Sequence, residues 1–192
     1  MKISFKNLFD TDYTLVMRDW RNQEFVNKNM VNQGYITEEN HIKYLQMLRE
    51  KKDTRKVYVA FADDKPFAIV NFSFYPEENY IEPGMYIINE NFLGKGLGHV
   101  LSYAYLEYMF GVMPNGEVHS TILLSNKTNL ALKEKFGFSL HHKTTVKDES
   151  GVEREASVLY LTKAIWQESK NEIMKKILGK FPSIEIGEIP RC

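Results

Sequence analysis

Three glycines, Gly94, Gly96 and Gly98, alternate with Lys95 and Leu97, and no other stretch of the chain is better suited to holding a reactant. Glycines leave backbone N–H groups uncovered, and a Cβ at these positions would block close approach of an anion. After the turn, Leu97, Val100, Leu101, Ala104, Tyr105 and Tyr108 recur with the spacing of a helix's apolar face. Before it, residues 80–88 read as an apolar strand. A strand entering a helix through such a turn aims several N–H groups at one point, where the helix adds roughly half a positive charge. The chemistry on offer is the binding of a diphosphate. The same pattern also serves as a plain tight connection. Two familiar phosphate loops are excluded. A dinucleotide fingerprint needs a glycine where His99 stands, and it usually opens the first βαβ unit. A Walker loop needs Ser or Thr after Gly-Lys, and Lys95 is followed by Gly96.

These glycines need elements to aim them. Residues 2–6 read as a strand. Asp12 heads a helix to about Phe25, with Leu15, Val16 and Trp20 facing inward. Thr37 is a good N-cap, with Glu38 and Glu39 in the first turn. That helix runs to about Lys51, with Ile42, Leu45 and Leu48 or Met47 on one face. Residues 57–61 and 67–74 form a hairpin around Asp63-Asp64-Lys65-Pro66. Pro83 suggests an irregularity in the strand before the turn. Residues 117–124 are a strand, and 126–136 a short helix stopped by Gly137. Residues 140–146 and 156–161 are strands, and a final amphipathic helix covers 163–178. The sum is an α/β (α+β) chain: a mixed sheet with helices on its faces.

Composition sets bounds. A chain of 192 residues that is 43% hydrophobic builds one domain, with or without an appendage. Twenty-five basic and 25 acidic side chains cancel, against a nucleic-acid binder that relies on global charge. The single cysteine, Cys192, rules out an internal disulfide and a cysteine metal site, and it suits a reducing compartment. Histidines 41, 99, 119, 141 and 142 lack metal-ligand spacing, so no metal is expected. No apolar run approaches the length of a membrane span, and the N-terminus lacks a signal peptide's core. The expectation is a soluble cytoplasmic protein.

The element order resembles the GNAT superfamily of acyl-CoA-dependent N-acyltransferases. The family's motif Arg/Gln-x-x-Gly-x-Gly/Ala falls on residues 93–98: Gly96 and Gly98 match, and Leu93 departs from Arg or Gln. A second family signature is similar to residues 126–138, matching at Asn126, Leu130, Glu134, Lys135, Phe136, Gly137 and Phe138. The resemblance covers about residues 1–162, and so implies a domain of residues 1–162 followed by a helix and tail at 163–192. It implies the GNAT fold, a mostly antiparallel sheet splayed between strands 4 and 5. Within the superfamily, Trp20 to Val26, Met30 and residues 36–45 resemble two groups: amino-sugar N-acetyltransferases of surface-glycan pathways, and N-terminal acetyltransferases of ribosomal proteins.

Site roles follow from that resemblance. Acetyl-CoA is the implied co-substrate, its diphosphate on Leu93, Gly94, Lys95, Gly96, Leu97 and Gly98. Its carbonyl and pantetheine arm would meet the backbone of Tyr86, Ile87 and Ile88. Glu82 is the candidate base. Its ordinary pKa is about 4.3, so it would work after a rise on burial or through water. Lys133 stands where many relatives carry a Tyr acid; it is read as a solvated helix-face lysine touching CoA phosphate, with thiolate stabilisation as the alternative. Asn126 either caps its helix or hydrogen-bonds the cofactor. His119 is the histidine to watch for proton transfer, and His99 suits phosphate contact. Trp20, Arg21 and Asn22 would line the acceptor wall, with Arg21 on a phosphate or carboxylate or merely structural.

The implied activity is acetyl transfer to a primary amine of a small molecule, preferably an amino sugar or nucleotide-linked amino sugar. A protein α-amine is the alternative acceptor, and a non-catalytic acyl-CoA-binding module is the alternative from another class. At pH 7 an α-amine is roughly 10% neutral and a lysine well under about 0.1%, which disfavours a lysine acceptor. The expected partners are a small-molecule amine, without nucleic acid or membrane, on a monomer or homodimer. The final helix, with Ile165, Trp166, Ile173, Met174, Ile177 and Leu178, is too apolar to stand free in water. It should pack either on its own domain near the acceptor mouth, the favoured arrangement because the linker after Leu161 is very short, or on a second copy of the chain; the tail after Phe181 would then be more mobile or held only by Ile184, Ile186 and Ile189.

Overall fold

The computed structural model describes residues 1–191, so the redox reading that rests on Cys192 lies outside the described residues. In chain order the elements are β1 (Lys2–Asn7), α1 (Val16–Asn22), α2 (Glu24–Asn27), α3 (Glu38–Glu50), β2 (Arg55–Ala62), β3 (Lys65–Tyr75) and β4 (Tyr80–Ile87). Then come α4 (Leu97–Val112), β5 (Glu117–Leu123), α5 (Lys127–Lys135), β6 (Ser139–Lys147), β7 (Glu153–Thr162), α6 (Lys163–Lys180) and β8 (Glu185–Ile186). The strands form one sheet in the order β6-β7-β5-β4-β3-β2-β1-β8. Its neighbours are antiparallel except for β4–β5 and β1–β8. No helix among the described residues is long and apolar enough to cross a membrane.

Each face of the sheet carries its own core. On one face Ile81, Met85, Ile87, Val118 and Ile122 meet α4 and α6. On the other, Val57, Val59, Ile69, Tyr86 and Ile88 meet Met17 of α1 and Leu45 and Leu48 of α3. Helix ends follow local chemistry. Thr37 Oγ1 accepts the Asn40 N–H at 3.2 Å. Gly137 leaves α5 at φ +84°, a conformation that favours glycine. The β2–β3 turn holds Asp63 and Asp64 at φ 46° and 64°, as a two-residue hairpin requires.

Four expectations need correction. The first helix breaks into α1 and α2 at Gln23, whose backbone is extended, because the Asn22 amide both donates to and accepts from the Ile36 backbone. Leu15 and Val16 face solvent, at 58% and 39% exposure, and Met17 points inward instead. Ile42 is 50% exposed; the inward stripe of α3 is His41, Leu45 and Leu48. Pro83 causes no irregularity, since the β3–β4 register runs straight through Phe72↔Pro83.

Backbone alternation explains Pro83 and defines the gap that matters. Ile88 N–H donates to Phe67 O at 2.9 Å. Tyr86, Gly84 and Glu82 therefore also aim their N–H groups at β3, while Met85 and Ile87 aim theirs at β5. The position of Pro83 lacks its donor on that β5 side. Pairing of β4 with β5 covers Tyr80↔Glu117 and Ile81↔Val118 and then stops. Beyond it the strands diverge, and Pro83 costs no ladder bond. On β5 the Leu124 N–H goes to Glu155 O, so Thr121 and Leu123 turn theirs back towards β4.

The appended helix belongs to the α4 face. Trp166 is fully buried in the main core with Ile173 and Ile177. Its Nε1 donates to Glu107 Oε1 at 2.6 Å. Such side chains each contribute about 1.5–3 kcal/mol by burial. The helix packs on its own chain, on the face opposite α1 and α3. The tail continues as β8, parallel to β1, and Ile189 is 3% exposed.

Candidate active site

The Gly-rich turn has a cradle's geometry. Gly94 sits at φ +70° with nothing within 4 Å of where a Cβ would stand. Gly96 is the N-cap of α4 at φ +88° and offers no side-chain cap, so the first N–H groups of the helix are left for a ligand. Leu97 is 2% exposed and anchors the turn in the core, so only its backbone faces outward. Leu93 is 45% exposed and Lys95 is exposed. An anion with several oxygens fits this turn.

The β4–β5 gap lies beyond that turn. The N–H groups of Met85 and Ile87 face it. Those of Tyr86 and Ile88 face β3, which corrects the assignment of all of Tyr86, Ile87 and Ile88 to a carbonyl or pantetheine arm. Across the gap, Glu82 Oε1 accepts the Thr121 N–H at 3.1 Å. The carboxylate thus stands where a strand partner would otherwise be, at the point where the sheet opens.

Lys133 is not solvated. It is 4% exposed, and its ammonium donates to the Tyr105 hydroxyl at 2.6 Å. The ring centroids of Phe138 and Tyr105 lie 4.5 and 4.9 Å from it. The Gly137 stop folds the last turn of α5 onto α4, and the stem of Lys133 goes inside with it. Asn126 caps α5: its Oδ1 accepts the Asn129 N–H at 3.1 Å. His119 stacks on Tyr80 at 4.3 Å and its Nε2 meets Glu117 Oε2 at 2.8 Å.

The opposite face carries a basin that sequence reasoning largely missed. Arg55, Ser73 and Glu82 stand in one row across β2, β3 and β4. The Arg55 guanidinium donates to Ser73 Oγ. One row on, Asn71 lies flat over Gly84, whose missing Cβ would fall 2.6 Å from the Asn71 amide. Tyr44 of α3 and Tyr86 of β4 close the basin. Burial pushes the Tyr44 phenol up, and the Arg55 and Arg21 guanidiniums pull it down. Burial also pushes Tyr86 far up, and its buried hydroxyl has no hydrogen-bond partner among the described residues. Arg21 is desolvated, which lowers its pKa, and donates to Asn27 Oδ1 at 2.8 Å and Asn32 O at 2.7 Å. Among the described residues neither Arg21 nor Arg55 pairs with a carboxylate.

Of the expected acceptor wall, Arg21 reaches this basin. Asn22 is committed to Ile36, and so is structural. Trp20 packs on Tyr13 at 5.2 Å and lines an open groove with Gln23, Phe25, Ile88 and Asn89. The outer wall is tied down by Arg154, whose Nη1 reaches Asp148 Oδ2 at 2.7 Å and Val31 O at 3.0 Å.

A glycine cradle at a helix N-terminus, a gap between parallel strands and a carboxylate in that gap define an acyl-CoA-dependent acyltransferase. Residues 14–138 match the model of the Acetyltransferase (GNAT) family, and the chain belongs to that family, with acetyl-CoA as its co-substrate. Solved structures share the fold. Spermidine N-acetyltransferase from Vibrio cholerae, in complex with CoA and spermine, aligns at TM-score 0.74 and 14% identity over 86% of this chain and 98% of its own. Aminoglycoside acetyltransferase AAC(6')-Ib with coenzyme A aligns at 0.70 and 19% over 88% and 99%. Campylobacter jejuni N-acetyltransferase PseH with acetyl coenzyme A aligns at 0.61 and 18% over 84% and 99%. No curated protein sequence matches significantly.

Proposed function

We propose that the enzyme acetylates the amine of a phosphate-bearing small molecule, a nucleotide-linked amino sugar being the preferred acceptor. The observation that supports this reading is the basin beside Glu82. Among the described residues it holds two guanidiniums without carboxylate partners and a buried phenol without a hydrogen-bond partner. Such a set attracts an anion and repels a polycation. The solved relatives include enzymes named for aminoglycosides and spermidine, which are polycations, and PseH. The charge of this basin argues against a polycationic acceptor.

In this reading acetyl-CoA lies along the α4 face with its diphosphate on the N–H groups of residues 94–98, the Leu93 N–H being spent on Glu90 O. The thioester carbonyl meets the N–H of Met85 or Ile87, which polarises it. The amine arrives from the α1–α3 face. Glu82 takes a proton from the ammonium, directly or through water, so that nitrogen attacks the carbonyl carbon. The C–S bond then breaks. CoA leaves as a thiolate, whose ordinary thiol pKa near 8.5 makes it a fair leaving group without a dedicated acid.

Thiol release from acetyl-CoA, measured with a panel of amines, tests the acceptor. A nucleoside-diphosphate-linked amino sugar should exceed the free amino sugar and spermine in kcat/KM by about 10-fold or more. Preference for spermine, or for a peptide α-amine, contradicts the reading.

A further inference from the structure

We propose that Lys180, the last residue of α6, completes the diphosphate site of acetyl-CoA. The inference rests on reading residues 93–98 as the diphosphate cradle. It assigns a binding role to a helix that lies outside the family-matched segment, residues 14–138.

The helix runs back along α4. Near its start Trp166 and Lys170 meet Glu107. At its end the Lys180 side chain lies over the turn. Its Cδ, Nζ and Cε are 3.0, 3.1 and 3.2 Å from the position a Cβ would take on Gly96. An ammonium there faces the N-terminus of α4, the positive end of that helix, where a cation is disfavoured. Other cations share the place. Lys95 is on the turn itself. The His99 imidazole is held below its ordinary pKa, first by burial and then by the charges of Lys135 and Lys180. Neither Lys180 nor Lys135 has a carboxylate partner among the described residues.

The C-terminal end of α6 accounts for a lysine in its last turn, because cations suit that end. It does not account for the lysine lying across another helix's N-terminus beside two more cationic groups. Mutual repulsion there is relieved by one thing the site is shaped for, a multiply charged anion on the N–H groups of residues 94–98. The turn has no arginine or glutamine at Leu93 to supply a side-chain contact. Lys180 brings that contact from the far end of the chain. The lysine's stem also crosses Gly96, so the glycine is required twice, for φ +88° and for the stem's passage.

Calorimetric titration of the full-length protein with CoA and with 3′-dephospho-CoA tests this. Lys180→Gln should weaken both ligands by about 5–20-fold, and Lys180→Arg should restore most of the loss. Without ligand, Lys180→Gln should melt within about 2 °C of the unmodified protein, as a surface substitution does. By NMR titration its His99 should gain pKa. Unchanged binding in Lys180→Gln overturns the proposal. So does a loss seen with CoA but absent with dephospho-CoA, which would move the lysine to the 3′-phosphate. Gly96→Val separates the two readings. If it binds CoA normally, the cradle itself is misplaced and the inference falls with it. If it fails to bind while Lys180→Gln binds normally, only the lysine assignment is wrong.

Discussion

The two faces of the sheet solve different problems with different materials. On the α4 face the proposed cofactor site is backbone: two left-handed glycines, an uncapped helix start and N–H groups that β4 leaves free along its open edge. On the α1–α3 face the proposed acceptor site is side chains, one or two from each of α1, α3, β2, β3 and β4. A cofactor common to a whole family suits the first kind, since backbone groups survive most substitutions. An acceptor that differs between members suits the second, since each side chain can change alone. Glu82 stands between them, on the α1–α3 face with its carboxylate reaching into the gap.

Substitutions sharpen that contrast. The largest effect is expected at the junction. Glu82→Gln keeps an oxygen for the Thr121 N–H but cannot take a proton, so kcat should fall by roughly 10²–10⁴-fold with acetyl-CoA affinity nearly intact. Steady-state kinetics across pH check this, and an unchanged pH–rate profile would move the role to His119 or to water. A much smaller effect is expected from Asn126→Ala. If the side chain only caps α5, it should cost about 1 kcal/mol, a melting shift of roughly 2–4 °C, and leave the acetyl-CoA Kd alone. A Kd that rises several-fold would make Asn126 part of the cofactor site and blur the division between backbone and side-chain recognition.

The same division governs what could be read from the sequence. Backbone chemistry leaves a mark in residue type, because left-handed turns and close approaches call for glycine; Gly94, Gly96 and Gly137 were legible for that reason. Thr37 was legible as a cap by its place before Glu38 and Glu39. The basin was not. Arg55, Asn71 and Ser73 look like ordinary strand residues, and only the β2–β3–β4 register sets them beside Glu82. Lys133 looked solvated because a nine-residue helix does not announce which face meets its neighbour. Leu15 and Val16 looked buried because the break at Gln23 depends on Asn22 bonding Ile36, fourteen residues away. Lys180 lay beyond any local pattern.

The central claim is that acetyl-CoA and the amine approach Glu82 from opposite faces of an opened sheet. A crystal structure of the acetyl-CoA complex tests it most directly. The account predicts the diphosphate on the N–H groups of residues 94–98 and the thioester oxygen within hydrogen-bonding distance of Met85 or Ile87 N–H. A diphosphate bound instead between Arg21 and Arg55, or a thioester on the α1–α3 side of β4, would contradict it.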